Sequence, residues 1–176
     1  MIRSLLEKSR IDADAIAAMA VTGQGNGLYP IDAEGAPVGR GILSADTRAQ
    51  RLVDRWYAEG LAGEMTAISC QDVWPGQPVA LLSWIREHDC SRFERIRWIL
   101  MCKDYIRYRL TGEIHAERTD FSGTNFVDPH TGQYSDRLLD LTGLSECKDK
   151  LPPLRNSVDQ CGSVTRRGSA ETGLSE

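Results

Sequence analysis

The sequence has no long apolar run. None of its apolar stretches approaches the roughly 20 residues that a helix needs to cross a bilayer, and the segment from Met1 to Lys8 is too polar for a signal peptide. The 5 cysteines are scattered, odd in number and without a Cys-x-x-Cys pair. That pattern favours reduced thiols over a disulfide framework. We therefore expect a cytoplasmic protein without a membrane partner.

Concentrated positive charge is also missing. The 21 Lys and Arg residues and the 25 Asp and Glu residues are interspersed, and the net charge is −4. Binding to a phosphate backbone needs a basic stripe, so we expect no nucleic-acid partner. The apolar fraction of 41% and charged fraction of 26% are typical of a soluble globular protein. A length of 176 residues fits one domain, or a large piece of a two-domain protein.

The common nucleotide, metal and nucleophile motifs are absent. No Gly-x-x-x-x-Gly-Lys-Ser/Thr phosphate loop occurs, and the glycine-rich residues 23–27 fail the dinucleotide fingerprint because Leu28 occupies the place of its last glycine. The 3 histidines are far apart and none has metal-site spacing, so we interpret each as a surface or turn histidine. We expect no metal site.

The sequence alternates strand and helix signals. Residues 16–21 form a short continuous apolar run that ends in a glycine-rich bend at residues 22–27, which predicts a buried strand followed by the bend. A turn at Gly35 then precedes a return strand predicted at residues 38–43. The alternation predicts an α/β or α+β domain with a mainly buried sheet.

Apolar stripes predict the helices. One stripe begins at Ala49, recurs at helical spacing through Tyr57 and stops at Gly60. A second helix opens with Pro78, where the missing N–H is harmless. The remaining predicted elements are a helical connector at 91–97, a strand at 98–101, a helix at 103–111 closed by Gly112, a hairpin suggested by residues 126–128 and the turn at 129–132, and a helix capped by Ser135 that runs through 141.

Five sets of segments, in the same order, resemble the FGGY family of carbohydrate kinases, especially its xylulokinase-like and L-xylulose kinase-like members. They are residues 18–28, 32–37 with 42–49, 76–88, 103–112 with 119–124, and 151–154 with 161–165 and 172–174. The resemblance implies an α/β fold that is part of an RNase H-like (actin-like ATPase) N-terminal domain, with a mixed sheet flanked by helices. It also implies that residues 1–176 are the sugar-binding domain, incomplete at both ends.

Three departures from the family pattern concern the sugar. Leu81 stands where the family's first signature usually carries a lysine, and Ser44 stands where a tryptophan is usual. Gly25-Asn26-Gly27 replaces the Met-His-Gly of xylulokinases. The last two departures make the site resemble the L-xylulose group more than the D-xylulose group.

The resemblance implies ATP-dependent phosphorylation of a ketopentose-type sugar such as xylulose or L-xylulose. Catalysis of this kind depends on positioning and electrostatics, with a carboxylate that accepts the hydroxyl proton. The family's general base is expected beyond Glu176, so we expect no catalytic residue here and an inactive isolated chain. ATP and Mg²⁺ would serve the complete kinase, and we expect this chain alone to hold neither.

The resemblance places the sugar at the glycine-rich bend. Missing side chains at Gly25 and Gly27 let backbone N–H and C=O groups approach a ligand closely. The Asn26 amide can donate and accept hydrogen bonds at once, and Gln24 belongs to the same bend. The alternative is a tight turn without a ligand.

Two further residues complete the predicted sugar site. Asp46 could accept a hydrogen bond from a sugar hydroxyl or cap the following helix. Trp74 could stack on the apolar face of the sugar or serve only in packing. Arg48 is more often an ion-pair partner, and residues 103–105, although they look like an active-site cluster, are interpreted as a helix start.

Other interpretations stay open. The chain could be a non-catalytic sugar-binding or oligomerising fragment without kinase activity, and it could form a homodimer. A third possibility is an unstable product, since a sheet without its first strands has an unpaired edge and exposed apolar surface.

Overall fold

The computed structural model describes all of residues 1–176. Its elements are α1 (Ile2–Ser9), α2 (Gln50–Ala58), α3 (Leu61–Ser69), α4 (Pro78–His88), α5 (Cys90–Arg95), α6 (Cys102–Thr111), β1 (Ala116–Glu117), α7 (Arg118–Ser122), β2 (Val127–Asp128), β3 (Gln133–Tyr134), α8 (Asp136–Leu141), β4 (Leu154–Arg155) and α9 (Arg166–Thr172). Short 3₁₀ turns lie at Ala13–Ala15 and Ser145–Lys150. None of the helices has the length and apolar character needed to cross a membrane.

The sheet structure consists of small pieces among helices. β1 pairs in parallel with β4, and β2 pairs antiparallel with β3. Isolated bridges join Leu28 to Ile42 and Ile31 to both Pro37 and Trp98. The return strand predicted at residues 38–43 and the strand predicted at residues 98–101 are therefore each present only as a single bridge. The mixed α/β class expected from the sequence is confirmed.

The buried strand predicted at residues 16–21 is wrong. The segment is irregular, and Ile16 and Met19 are 37% and 45% exposed. The backbone of residues 17–26 forms no hydrogen bond within the chain. A strand needs a neighbouring strand to receive its N–H and C=O groups, and no segment of these 176 residues supplies one.

The helices predicted from apolar stripes are confirmed. α2 turns Leu52 and Trp56 into the core, and α4 begins at Pro78 and buries Leu82 and Ile85 completely. Burying a side chain of this size stabilises the fold by roughly 1.5–3 kcal/mol relative to exposure. These helices form one hydrophobic core with the segment that follows the bend and with the β2–β3 hairpin.

The later predicted elements are also confirmed. α5 and α6 occupy the predicted positions, and Gly112 ends α6 with a φ of 74°. The hairpin pairs Val127 with Tyr134, and the Ser135 hydroxyl accepts a hydrogen bond from the Leu138 N–H at the start of α8. Helices α1, α3, α7 and α9 were not predicted.

Candidate functional site

The glycine-rich bend is hydrogen-bonded to the rest of the fold at Gly27, whereas its backbone is unbonded at Gly25. Asn26 and Gly27 have φ values of 61° and 76°, and the Gly27 N–H donates to the Gly76 carbonyl at 3.0 Å. A Cβ on Gly27 would come within 2.5 Å of the Ile42 carbonyl oxygen, so only glycine fits there. Gly25 is exposed and its backbone groups are unbonded. The bend therefore presents bare backbone on one side.

Gln24 and Asn26 present amides at this bend. The Gln24 Nε2 donates to the Tyr29 hydroxyl at 3.2 Å, which orients the Gln24 side chain. The Asn26 Oδ1 is buried and no donor of the chain reaches it. A buried acceptor without a donor is unfavourable, so a donor that reached this oxygen would stabilise the site.

Asp46 is engaged by Arg48. The Asp46 Oδ1 accepts from the Arg48 backbone N–H at 2.9 Å and from Arg48 Nε at 2.8 Å, while Oδ2 accepts from Arg48 Nη2 at 2.8 Å. Side-chain hydrogen bonds from Arg48, together with its charge, lower the pKa of Asp46. α2 begins after Ala49 without a side-chain cap, so Asp46 shapes the turn before the helix and fixes the Arg48 guanidinium over the Trp84 ring.

Trp74 stands at the edge of the same region. Its residue surface is 38% exposed, and its backbone N–H donates to the Gln77 Oε1 at 3.0 Å. A Cβ on Gly76 would collide with both the Trp74 ring and the Ser44 carbonyl oxygen. Because Gly76 also receives the hydrogen bond from Gly27, the bend and the tryptophan are linked through this glycine.

A buried amide joins these segments. The side chain of Gln77 donates to the carbonyl oxygens of Asp72 and Gly123 at 3.3 and 3.2 Å, and its Oε1 accepts from Asn125 Nδ2 at 2.7 Å. A Cβ on Gly123 would lie 3.7 Å from the Asn26 amide nitrogen. Gln77 therefore fixes both the Trp74 loop and the segment behind Asn26, and the sequence interpretation missed it.

The start of α6 contains the cluster at residues 103–105. Asp104 is buried, and its carboxylate accepts from the Met101 N–H at 3.2 Å, so the predicted helix-start interpretation is confirmed for it. Burial raises the pKa of Asp104 to about 6 against the opposing effect of Arg107. Lys103 instead extends to Asp120 beside the bend, with Nζ 2.9 Å from Oδ2. Sequence reasoning missed this pair because its members lie on separate elements.

Two surface depressions lie outside the bend, and Arg48 lines the first of them. One of about 240 Å³ includes Arg51, Trp84 and His88 in its lining, and one of about 430 Å³ includes Arg86 and Phe93. Neither contains a residue of the bend. We identify the bend as the candidate site from its unpaired polar atoms and not from the depressions, because neither depression includes a residue of the bend. No group of three or more His, Cys, Asp and Glu side chains converges as a metal site.

Comparison with known proteins identifies related sequences and structures. The model of the N-terminal domain of the FGGY family of carbohydrate kinases matches residues 1–176. A protein of Pasteurella multocida named "Probable L-xylulose kinase" is 40% identical over 174 residues, which are 99% of this chain and 36% of that protein. The L-xylulose/3-keto-L-gulonate kinase of Escherichia coli is 36% identical over 174 residues, 99% of this chain and 35% of that protein.

A solved structure agrees with these relatives. The crystal structure described as a xyloylose kinase from Brucella ovis superposes with a TM-score of 0.87 at 31% identity, over 99% of this chain and 35% of that chain. The fold is that of the actin-like ATPases, as expected from the sequence. The chain spans about a third of the length of the relatives it matches.

Proposed function

Because the chain belongs to the FGGY family of carbohydrate kinases, we propose that it supplies the sugar-binding half of an enzyme that phosphorylates a ketopentose-type sugar with ATP. The observation that supports this most is the open bend. It offers unbonded backbone groups at Gly25 next to the buried, unpaired Oδ1 of Asn26. A ligand with several hydroxyls matches both, since each hydroxyl can donate and accept.

The substrate we propose is L-xylulose or a closely similar keto-sugar. Two relatives whose names include L-xylulose are 40% and 36% identical, whereas the xylulose kinase of Bacillus subtilis is 30% identical. The Asn26 amide in place of the xylulokinase histidine supports the same choice, because it changes the donor and acceptor pattern that meets the sugar.

In this proposal the chain binds and orients the sugar. Backbone N–H groups at residues 23–25 and the Asn26 amide contact hydroxyls, with Gln24 at the margin and Trp74 over the apolar face of the sugar. Arg48 fixes the Asp46 carboxylate with three hydrogen bonds, and we propose that the accepting capacity left on Asp46 serves a sugar hydroxyl. A fixed sugar hydroxyl lowers the barrier to transfer by orientation alone.

ATP and a divalent cation are proposed for the complete kinase. The sequence has no Gly-x-x-x-x-Gly-Lys-Ser/Thr phosphate loop, and no group of three or more His, Cys, Asp and Glu side chains converges, so we propose that other parts of the kinase bind both. We therefore assign no step of phosphoryl transfer to a residue in this chain. The domain we propose is the FGGY N-terminal, sugar-binding domain.

The alternative is a non-catalytic sugar-binding or oligomerising module. The exposed apolar segment around Ile16 and Met19, with its unbonded backbone, favours association with another chain, and a homodimer would satisfy it. A cytoplasmic location is proposed as well, because all the cysteines are free, including the exposed Cys70 and Cys90.

Calorimetric titration of the 176-residue chain with L-xylulose, D-xylulose and ATP tests the proposal. We expect the chain to bind L-xylulose more tightly than D-xylulose and to bind no ATP. Absence of binding to either sugar would contradict the sugar-binding role. Turnover of ATP by the chain itself would show that it carries catalytic parts we place elsewhere.

A further inference from the structure

The Lys103–Asp120 ion pair is unusually sheltered. The side chains are 22% and 11% exposed. Only one other ion pair of the chain, Arg107–Asp104, has both side chains less than a quarter exposed, and it belongs to the start of α6. Asp120 lies on the short helix α7, which Glu117 already caps. The Lys103–Asp120 pair is therefore not needed to cap its helix.

Both members of the pair lie against the bend. A Cβ on Gly23 would come within 3.3 Å of Lys103 Cγ, and a Cβ on Gly25 would come within 3.2 Å of Asp120 Oδ1. The carboxylate thus lies next to the space that a side chain at Gly25 would occupy. A side chain at Gly25 would press against Asp120 Oδ1.

The Asp120 carboxylate has unused accepting capacity. A carboxylate can accept about four hydrogen bonds, yet no N–H or O–H of this chain donates one to Asp120. Its Oδ2 is shut off from solvent and contacts only the Lys103 charge, without hydrogen-bond alignment. Its Oδ1 keeps contact with solvent beside Gly25. Oδ1 is therefore free to accept a hydrogen bond from outside the chain.

The unpaired groups around the bend have complementary polarity. Asp120 and the Asn26 Oδ1 need donors, while the backbone N–H groups of residues 23–26 need acceptors. A hydroxyl meets both needs at once, because it donates one hydrogen bond and accepts others. A phosphate or carboxylate would satisfy the N–H groups but would be repelled by Asp120.

We propose that Asp120 is a sugar-binding residue that accepts a hydrogen bond from one hydroxyl of the ligand, and that Lys103 positions its carboxylate. The inference rests on the proposed function and names the chemistry of the same site. It makes Asp120 a determinant of specificity, because a ligand without the contacted hydroxyl leaves the carboxylate unpaired.

The Asp120→Asn variant of the chain tests this by calorimetry with L-xylulose and its mono-deoxy analogues. Asparagine keeps the size of the side chain and removes its charge. We expect L-xylulose to bind about 10- to 100-fold more weakly, the usual effect of losing a hydrogen bond to a charged group. One deoxy analogue, lacking the contacted hydroxyl, should bind wild type and variant equally. Lys103→Met should weaken the binding of L-xylulose and of the analogues that keep the contacted hydroxyl, because it displaces the carboxylate without removing it.

Asp136→Asn is the matched control. Asp136 pairs with Lys148 at 2.7 Å, but both side chains are well exposed and neither touches the bend. This variant should bind L-xylulose like wild type. If a melting curve shows that Asp120→Asn is unfolded, Asp120→Glu replaces it, since it keeps the charge and shifts the oxygens.

The outcomes separate the two proposals. Failure of the wild-type chain to bind any sugar would contradict the proposed function itself. Binding by wild type with an Asp120→Asn affinity within twofold, or with the same loss for every deoxy analogue, would overturn the role of Asp120 and leave the sugar-binding proposal standing.

Discussion

Two residues with positive φ give the bend its shape. Asn26 and Gly27 turn the chain. Leu28, the next residue, is hydrogen-bonded to Ile42 through both its N–H and its carbonyl group. The exposed neighbours Gly23 and Gly25 keep their N–H groups free because nothing in the chain covers them. Local backbone geometry at Gly27 thus decides which backbone groups a ligand can reach.

Gly27→Ala should destabilise the fold by about 2–4 kcal/mol. The Cβ would add steric overlap with backbone to the strain of a positive φ. Gly60→Ala is the matched control, since Gly60 has a φ of 80° with nothing within 4 Å of a Cβ. It should lose only about 1 kcal/mol. Urea unfolding measures both free energies, and equal losses would show that the Gly27 environment is looser than described.

Asp104 gives the chain an acid-dependent stability. Its pKa is raised to about 6 by burial, so the native state holds a proton that the unfolded state has released once the pH exceeds about 4. Stability from this group is therefore full in acid and is lost as the pH rises from 4 to 6. The free energy involved is about 3 kcal/mol.

The comparison of wild type with Asp104→Asn tests this. Asparagine cannot titrate, so the free energy of unfolding of wild type should fall relative to the variant by about 2 kcal/mol between pH 4 and pH 6. Guanidinium unfolding at each pH provides the values. A constant difference across that range would mean that Asp104 keeps an ordinary pKa in the folded chain.

At the scale of elements, Gln77 connects parts that lie far apart in sequence. It sits at the N-terminus of α4 and holds the loop of Asp72 and Trp74 to the segment of Gly123 and Asn125. These contacts fix the position of Trp74 relative to the segment of Gly123, which lies beside Asn26. The bend is thereby supported by the fold and not only by its own glycines.

Gln77→Glu should destabilise the fold by about 2–3 kcal/mol at neutral pH. A buried carboxylate would face the carbonyl oxygens of Asp72 and Gly123 where the Nε2 donor now lies. Hydrogen exchange should quicken at residues 71–76 and 123–126. Gln133→Glu, on the exposed edge of the hairpin, is the control and should change neither quantity. Unchanged exchange at both segments in Gln77→Glu would show that they are held by other contacts.

The sequence predicted local elements well and long-range ones poorly. α2 and α4 followed from apolar stripes because a helix satisfies its own hydrogen bonds. Residues 16–21 carried an equally clear apolar signal, yet a strand depends on a partner that the run itself cannot reveal. The bend was predicted from its glycines and its resemblance. Lys103 with Asp120, and Gln77 with Asn125, could not be predicted, because each pair meets only through the tertiary fold.

At the scale of the whole molecule, the irregular segment of residues 17–26 forms an open backbone edge. Residues 17–26 combine apolar exposed side chains at their start with an unbonded backbone throughout. Such an edge is a template for pairing with another strand. The same segment ends in the bend, so association there would border the candidate sugar site.

The chain should therefore self-associate with rising concentration, and Met19→Lys should reduce the association. A charge on an open edge opposes pairing with a second edge. Val158→Lys is the control, since Val158 is 93% exposed on a different segment. Sedimentation velocity measures the distribution of species. A monomer at every concentration, or equal effects of both variants, would contradict association through this edge.

The central claim is that the bend at residues 23–27 offers free backbone and the Asn26 amide to a hydroxylated ligand. Titration of ¹⁵N-labelled chain with L-xylulose, followed by backbone and side-chain amide NMR shifts, tests it most directly. The account predicts that the largest shifts fall on the amides of Gly23, Gly25 and Asn26, with Gly60 unchanged as an exposed reference. If only residues around the depression at Arg51 and Trp84 shift at saturating sugar, and the amides of the bend do not shift, the claim is contradicted.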